Sequence, residues 1–243
     1  MKAIILAGGK GTRLQPLTNW TNKHLLPVGS YPMICYGVAK LSEAGIKDIA
    51  IVTTRTALGD FAEVLGSGSD WGVSIVYRVQ EEASGIADAL ELARPVISSR
   101  DKFVVLLGDN LFEQPLTPFA ETFEQQEDGA MVLLKEVEDP RRYGVPRLDE
   151  ETGRILHIDE KPDDPASSYC VTGLYFYHAD VFEVIGQMSP SLRGEMEITD
   201  VNNYYAHAKR LRYGVIDKWW TDAGTFESLE EAALRLKGTL LQR

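Results

Sequence analysis

In the stretch 3-AIILAGGKGTRLQPLTNWTNKHLLPVG-29, three glycines stand close to two cations, Arg13 and Lys23. Residues of these types at this spacing are suited to gripping phosphate. Gly8, Gly9 and Gly11 permit a tight turn and let backbone amides approach an anion that any side chain would keep away. Arg13 offers a planar fork for two phosphate oxygens and Lys23 a compact point charge. Neither familiar phosphate-binding template fits. A Walker loop needs Ser or Thr after Gly-Lys, and Lys10 is followed by Gly11; the dinucleotide fingerprint needs a glycine where Leu14 stands. A glycine-rich turn is also an ordinary structural device, and only the two cations behind it ask for more.

The elements that must position these residues follow from periodicity. Lys2–Ala7 reads as a buried strand and Pro32–Ala44 as a helix with Ile34, Val38 and Leu41 on one face and Gly45 after its end. The alternation continues with a strand over Asp48–Thr53, a helix over Ala57–Leu65 and a strand over Val73–Val79. A helix over Ile86–Arg94 and an apolar strand over Phe103–Leu107 follow. This predicts an α/β fold: a Rossmann-like, doubly wound, mostly parallel sheet flanked by helices, with ligands beyond the carboxyl ends of the strands. From residue 130 the strands Ala130–Val137, Gly144–Leu148 and Arg154–Ile158 come at short intervals, as in a small antiparallel extension. Val171–Tyr177 and Leu211–Ile216 read as further strands. Ala179–Gln187, Thr199–Lys209 and a segment from Thr225 onward read as helices. No repeat or long linker divides the chain, so a single domain over residues 1–243 is expected.

Composition sets the outer bounds. Hydrophobic residues make up 44% and charged residues 25% of the 243, close to a soluble globular average, and no apolar run reaches the length of a membrane span. The formal charge of -11 repels nucleic acid and membrane surfaces and leaves room for a small anion only where positive groups cluster locally, in a pocket. Met1-Lys2 runs directly into the first strand with no secretory signal, and Cys35 and Cys170 make neither a metal spacing nor a disulfide framework. Two buried thiols in a cytoplasmic protein are expected. The four histidines, His24, His157, His178 and His207, show no metal-binding spacing and read as structural or exposed.

The glycine stretch, with 107-LGDNLF-112, 141-RRYGV-145, 159-DEKP-162, 171-VTGLYFY-177, 193-RGEMEITDVNN-203 and 220-WTDAGTFESL-229, resembles the signature blocks of the sugar-phosphate nucleotidyltransferases along nearly the whole chain. Within that family it is most similar to a short branch acting on glucose 1-phosphate and dTTP, without the C-terminal helices from which longer members partly build a regulatory site. The resemblance implies the nucleotide-diphospho-sugar transferase fold, with residues 1–129 mainly holding nucleotide and residues 130–243 mainly holding sugar phosphate and the last helix. It implies transfer of a nucleotidyl group from dTTP or UTP to glucose 1-phosphate by in-line attack on the α-phosphorus, with pyrophosphate released. Members usually form homo-oligomers, tetramers or dimers.

Carried over residue by residue, the resemblance assigns catalysis to Arg13, Lys23 and Lys161. Nucleotide contacts fall to Leu6, Gly8, Gly9, Gly11, Thr12, Arg13, Gln80, Gly85 and Asp109, with Gln80 reading the pyrimidine edge. Sugar-phosphate contacts fall to Leu107, Tyr143, Gly144, Glu160, Lys161, Val171, Tyr175 and Trp220. Asp109 and Asp222 match the family's metal-binding carboxylates, and two carboxylates with phosphate oxygens suit Mg2+. From the residues alone, each Asp serves equally as a turn or cap, a Glu-Lys neighbour pair as solvated surface, and aromatics near strands as core. The acidic block Glu195, Glu197 and Asp200 reads either as support for the site or as the turn into the next helix, with Thr199 as its cap. Phe226 stands where relatives commonly carry His and is expected to alter packing beside Asp222. Pro146 suggests an edge or bulge. A non-catalytic nucleotide-sugar sensor on the same fold is the alternative, and retention of Arg13, Lys23, Asp109, Lys161 and Asp222 argues against it.

Overall fold

The computed structural model describes residues 1–82, 84–189, 194 and 196–242. In chain order its strands are β1 (Lys2–Ala7), β2 (Pro27–Val28), β3 (Tyr31–Pro32), β4 (Asp48–Thr54), β5 (Ser74–Gln80), β6 (Lys102–Leu107), β7 (Asn110–Phe112), β8 (Ala130–Glu136), β9 (Gly144–Leu148), β10 (Ile155–Glu160), β11 (Tyr169–His178), β12 (Leu211–Val215) and β13 (Trp220–Asp222). The helices are α1 (Met33–Glu43), α2 (Leu58–Leu65), α3 (Ile86–Glu91), α4 (Thr117–Glu124), α5 (Val181–Ile185), α6 (Ile198–His207) and α7 (Phe226–Arg235).

One sheet runs through both halves of the chain in the order β10-β9-β11-β6-β1-β4-β5, with β8 beside β11 and β12 beside β8. β6, β1, β4 and β5 are parallel neighbours, and β11 joins β6 antiparallel, with Leu174 opposite Leu106. The antiparallel strands therefore extend the main sheet and are not a separate flap. Strand alternation decides the two faces: Ala3, Ile5 and Ala7 pack with α1, α2 and α4, while Ile4 and Leu6 pack with α3, α5 and α6. A third cluster packs Leu229 and Ala232 of α7 and its C-cap Leu236 against Leu14, Leu26, Val28 and Leu111. It ties the last helix to the glycine loop.

Five of these elements were not foreseen. β2 and β3 are two residues each and β7 and β13 three, too short to show a period, and α4 buries only Ala120 and Phe123. The capping expectations are corrected. Glu197, and not Thr199, occupies the N-cap position of α6, and Thr225 caps α7 in a reciprocal box with Ser228, leaving Asp222 in β13. Pro146 faces Ile158 of β10, whereas β9 meets β11 only at Gly144, so the missing amide interrupts no ladder on that side. Phe226 opens α7 and is 43% exposed. Cys35 and Cys170 are buried and neither is in a disulfide. Glu195 lies outside the described residues. Among the described residues no helix is long and apolar enough to cross a membrane.

Candidate active site

A cavity of about 390 Å3 opens at the carboxyl ends of β1, β5 and β6 and is closed on the far side by β9–β11, α6 and β13. All of the residues expected at the site line it except Gly11 and Thr12. Gly11 has a φ of +63° and starts a single 3-10 turn over Thr12–Leu14; a Cβ there would lie 2.9 Å from both Lys23 Cβ and Thr18 Cγ2. It is needed for the loop's own path, and Thr12 is carried out to the exposed side. That turn returns Arg13 to the cavity wall, where Nη2 lies 2.8 Å from the place a Cβ on Gly224 would occupy. Among the described residues Arg13 has no ion-pair partner.

Lys23 pairs with Asp109, both largely buried. Burial works against ionisation of Asp109, yet the Lys23 ammonium and the Asn110 amide hold its carboxyl well below the usual range. Asp222 arrives from the other end of the chain because β13 pairs antiparallel with β7, placing Asp222 opposite Asn110 in register. Burial, and then the charge of Asp109, push Asp222 up, against a hydrogen bond of 2.9 Å from the Tyr143 hydroxyl. Two carboxylates facing one cavity, one of which raises the cost of ionising the other, form a place that a cation would relieve. Among the described residues no third His, Cys, Asp or Glu joins them. The donor set fits Mg2+, which takes one or two carboxylates and completes its shell with water and phosphate oxygens.

Asn110 is the residue on which this corner is built, and sequence reasoning missed it. Its Nδ2 donates to Asp109 Oδ1 at 3.1 Å, and its Oδ1 accepts from Gly173 N and from Trp220 Nε1, both at 2.8 Å. Trp220 in turn meets the Tyr143 ring edge-on, with centroids 5.7 Å apart. On the sugar side, Glu160 accepts from Thr199 Oγ1 at 2.6 Å and pairs with Lys161 at 3.2 Å. Lys161 has a φ of +50°, a left-handed conformation unusual for a side-chain-bearing residue, fixed by its amide donating to Tyr143 O at 2.9 Å. Val171, Tyr175, Leu107 and Gly144 complete that wall.

His24, one of the histidines read as structural or exposed, is a structural one. It is buried on the cavity floor, with Nδ1 2.7 Å from Asn22 Oδ1, and burial followed by Lys23 lowers its pKa to about 3. Arg142 lines the mouth, while its neighbour Arg141 is locked to Asp139 at 2.7 and 2.9 Å. His157 and His207, far apart in sequence, stand as parallel rings 5.4 Å apart on the surface. At the base end, Gln80 is 5% exposed at the close of β5. Gly85 has a φ of +111°, and a Cβ there would lie 2.6 Å from Met196 O. Glycine is thus demanded by the Met196 backbone as well as by any approaching base. Gly85→Ala is expected to destabilise the protein by about 2 kcal/mol or more, read as a shift in the urea midpoint with unchanged slope.

The sequence profile of the family described as nucleotidyl transferase matches residues 2–238. The chain belongs to that family. This nucleotidyltransferase is 43% identical over 235 residues to the glucose-1-phosphate thymidylyltransferase of Xanthomonas campestris pv. campestris (strain B100), covering 96% of the chain and 79% of the relative. It superposes with a TM-score of 0.95 and 48% identity on a crystal structure from Bacillus anthracis assigned as a glucose-1-phosphate thymidylyltransferase, in complex with a sucrose, covering 100% of this chain and 98% of that one. A UDP-glucose pyrophosphorylase complexed with UDP-glucose is similar at a TM-score of 0.85 and 28% identity, over 96% and 97% of the two chains. The mixed central sheet with flanking helices is that of these nucleotide-sugar enzymes.

Proposed function

We propose that this nucleotidyltransferase converts dTTP and glucose 1-phosphate into dTDP-glucose and pyrophosphate. The observation that carries the reading is the corner where Asp109 and Asp222 face one cavity beside Lys23 and Arg13. An oxygen of the sugar phosphate attacks the α-phosphorus, a new P–O bond forms, and the bond to the bridging oxygen of the β-phosphate breaks in line, its electron pair leaving with pyrophosphate. The attacking oxygen is already ionised at neutral pH, so the demand on the protein is positioning and charge neutralisation, not proton transfer.

Lys23 addresses the α-phosphate and Arg13 the β- and γ-phosphates, stabilising the charge that builds on the leaving group. Lys161 grips the sugar phosphate; Glu160, held by Thr199, fixes a sugar hydroxyl; Tyr143, Tyr175 and Trp220 border the ring. Asp109 and Asp222 would hold Mg2+, which supplies charge neutralisation between the reacting phosphates. Gln80 reads the base. Greater similarity to thymidylyltransferases than to the UDP-glucose enzyme supports dTTP. One sheet holding strands of both halves supports a single domain, and a homo-oligomer is part of the proposal.

The test is pyrophosphate release with Mg2+, crossing dTTP, UTP, CTP, GTP and ATP against glucose 1-phosphate and mannose 1-phosphate, with products identified by mass spectrometry. Release requiring dTTP and glucose 1-phosphate is expected; a better rate with another pair would replace the named substrates, and none with any pair would leave a sensor. Arg13→Ala is expected to lower kcat/KM by about a hundredfold with an unchanged thermal midpoint.

A further inference from the structure

Gln80 is the side chain assigned to the base, but an amide has two unlike ends, and something must decide which end the base meets. Asp88, on the first turns of α3, is the neighbour that does so. Gln80 Nε2 donates to Asp88 Oδ2 at 3.4 Å. An ionised carboxylate only accepts, so the amide nitrogen must face the helix and the carbonyl must face away from it. The opposite side agrees: Oε1 lies 2.5 Å from the place where a Cβ on Gly8 would stand, at the cavity wall. Among the described residues no donor pairs with Oε1.

We infer that Asp88 is a positioning residue that selects the nucleobase by holding the Gln80 carbonyl toward it. The inference rests on the pyrimidine-nucleotide reading above. Thymine and uracil present an N3–H between two carbonyls, so Oε1 accepts from N3–H while the second hydrogen on Nε2 donates to a base carbonyl. Cytosine presents an unprotonated N3 beside an amino group and needs the amide reversed. That reversal sets Oε1 against Asp88, acceptor against acceptor.

The experiment measures kcat/KM for dTTP, UTP and CTP with glucose 1-phosphate in the wild type, Asp88→Asn and Asp88→Lys, with thermal melts to confirm folding. Both variants should raise the ratio of CTP to dTTP, Asp88→Asn by about tenfold, the scale of one hydrogen bond to a charged group. Asp88→Lys should raise it further, because an ammonium demands the carbonyl end. Any general effect of the new cation on triphosphate binding is common to all nucleotides and cancels in the ratio. Folded variants whose ratio stays within about twofold of the wild type, whatever their overall rate, would overturn the role of Asp88. A wild type that uses neither dTTP nor UTP would instead overturn the substrate reading, and this inference with it.

Discussion

Asp109→Asn is expected to cost about a thousandfold in kcat/KM while the protein stays folded, because it removes charge and keeps shape. Lys23 and Asn110 donate to different oxygens of Asp109, so the new amide keeps one of these bonds and loses the other, while the backbone pairing of β7 with β13 still holds the corner. What is lost is the anion that neutralises a Lys23 side chain only 13% exposed and that stands opposite Asp222. Asp222 should relax as a result. With the Asp109 charge gone, part of what raises it disappears and its pKa moves back down toward the ordinary carboxylate value. Steady-state pyrophosphate release over a Mg2+ series, with a thermal melt beside it, reads both halves of the expectation. A folded variant within tenfold of the wild type, with the same Mg2+ dependence, would remove Asp109 from the reacting centre.

Acid is expected to loosen the metal-free protein through His24. The sign follows from a folded pKa of about 3 against 6.5 for a free imidazole. The fold accepts the neutral ring only, so this contribution is fully present above pH 6.5 and is lost as pH falls toward 3, where unfolding takes up a proton. Between pH 7 and pH 4 the loss comes to about 3 kcal/mol. His178, lowered by burial and by Lys102, adds with the same sign, whereas Asp222, raised by burial and by Asp109, works the other way. Asp109 is held down, and its contribution fades only below the ordinary carboxylate value of 3.8. The comparison that isolates His24 is therefore with His24→Gln, whose amide can still donate to Asn22 Oδ1. Urea unfolding at pH 7, 5 and 4 should show a steep decline for the wild type and a shallower one for the variant. Parallel declines would mean that the ring is charged in the folded protein.

Much of this was legible in the sequence because strands and chemistry coincide. Residues just past an apolar strand, such as Gly8 after β1 and Asp109 one glycine after β6, stand at the carboxyl end of the sheet, and the burial of β1 on both faces is written in the unbroken apolar run Ala3–Ala7. What was hidden depends on partners distant in sequence. Asn110 reaches Trp220 across 110 positions through two strands too short to carry a pattern. Thr199 reads as a cap because its true partner, Glu160, sits on β10 and not in its own helix. His24 reads as an ordinary histidine until Gly9, Gly108 and Asn22 close around it. Gly11 and Thr12 stand apart from the rest of the signature, since they lie outside the cavity lining, in the turn that returns Arg13 to it.

The Asn110 amide touches the carboxylate of Asp109, the backbone of β11 at Gly173 and the indole of Trp220. Speed and substrate range are therefore not separately adjustable in this protein. A library that varies position 220 to admit bulkier sugars also withdraws a donor from the group that orients Asp109, so its members should differ in turnover as much as in taste. Selection for a new sugar would then favour compensating changes on β7, a strand that the sugar itself does not have to touch.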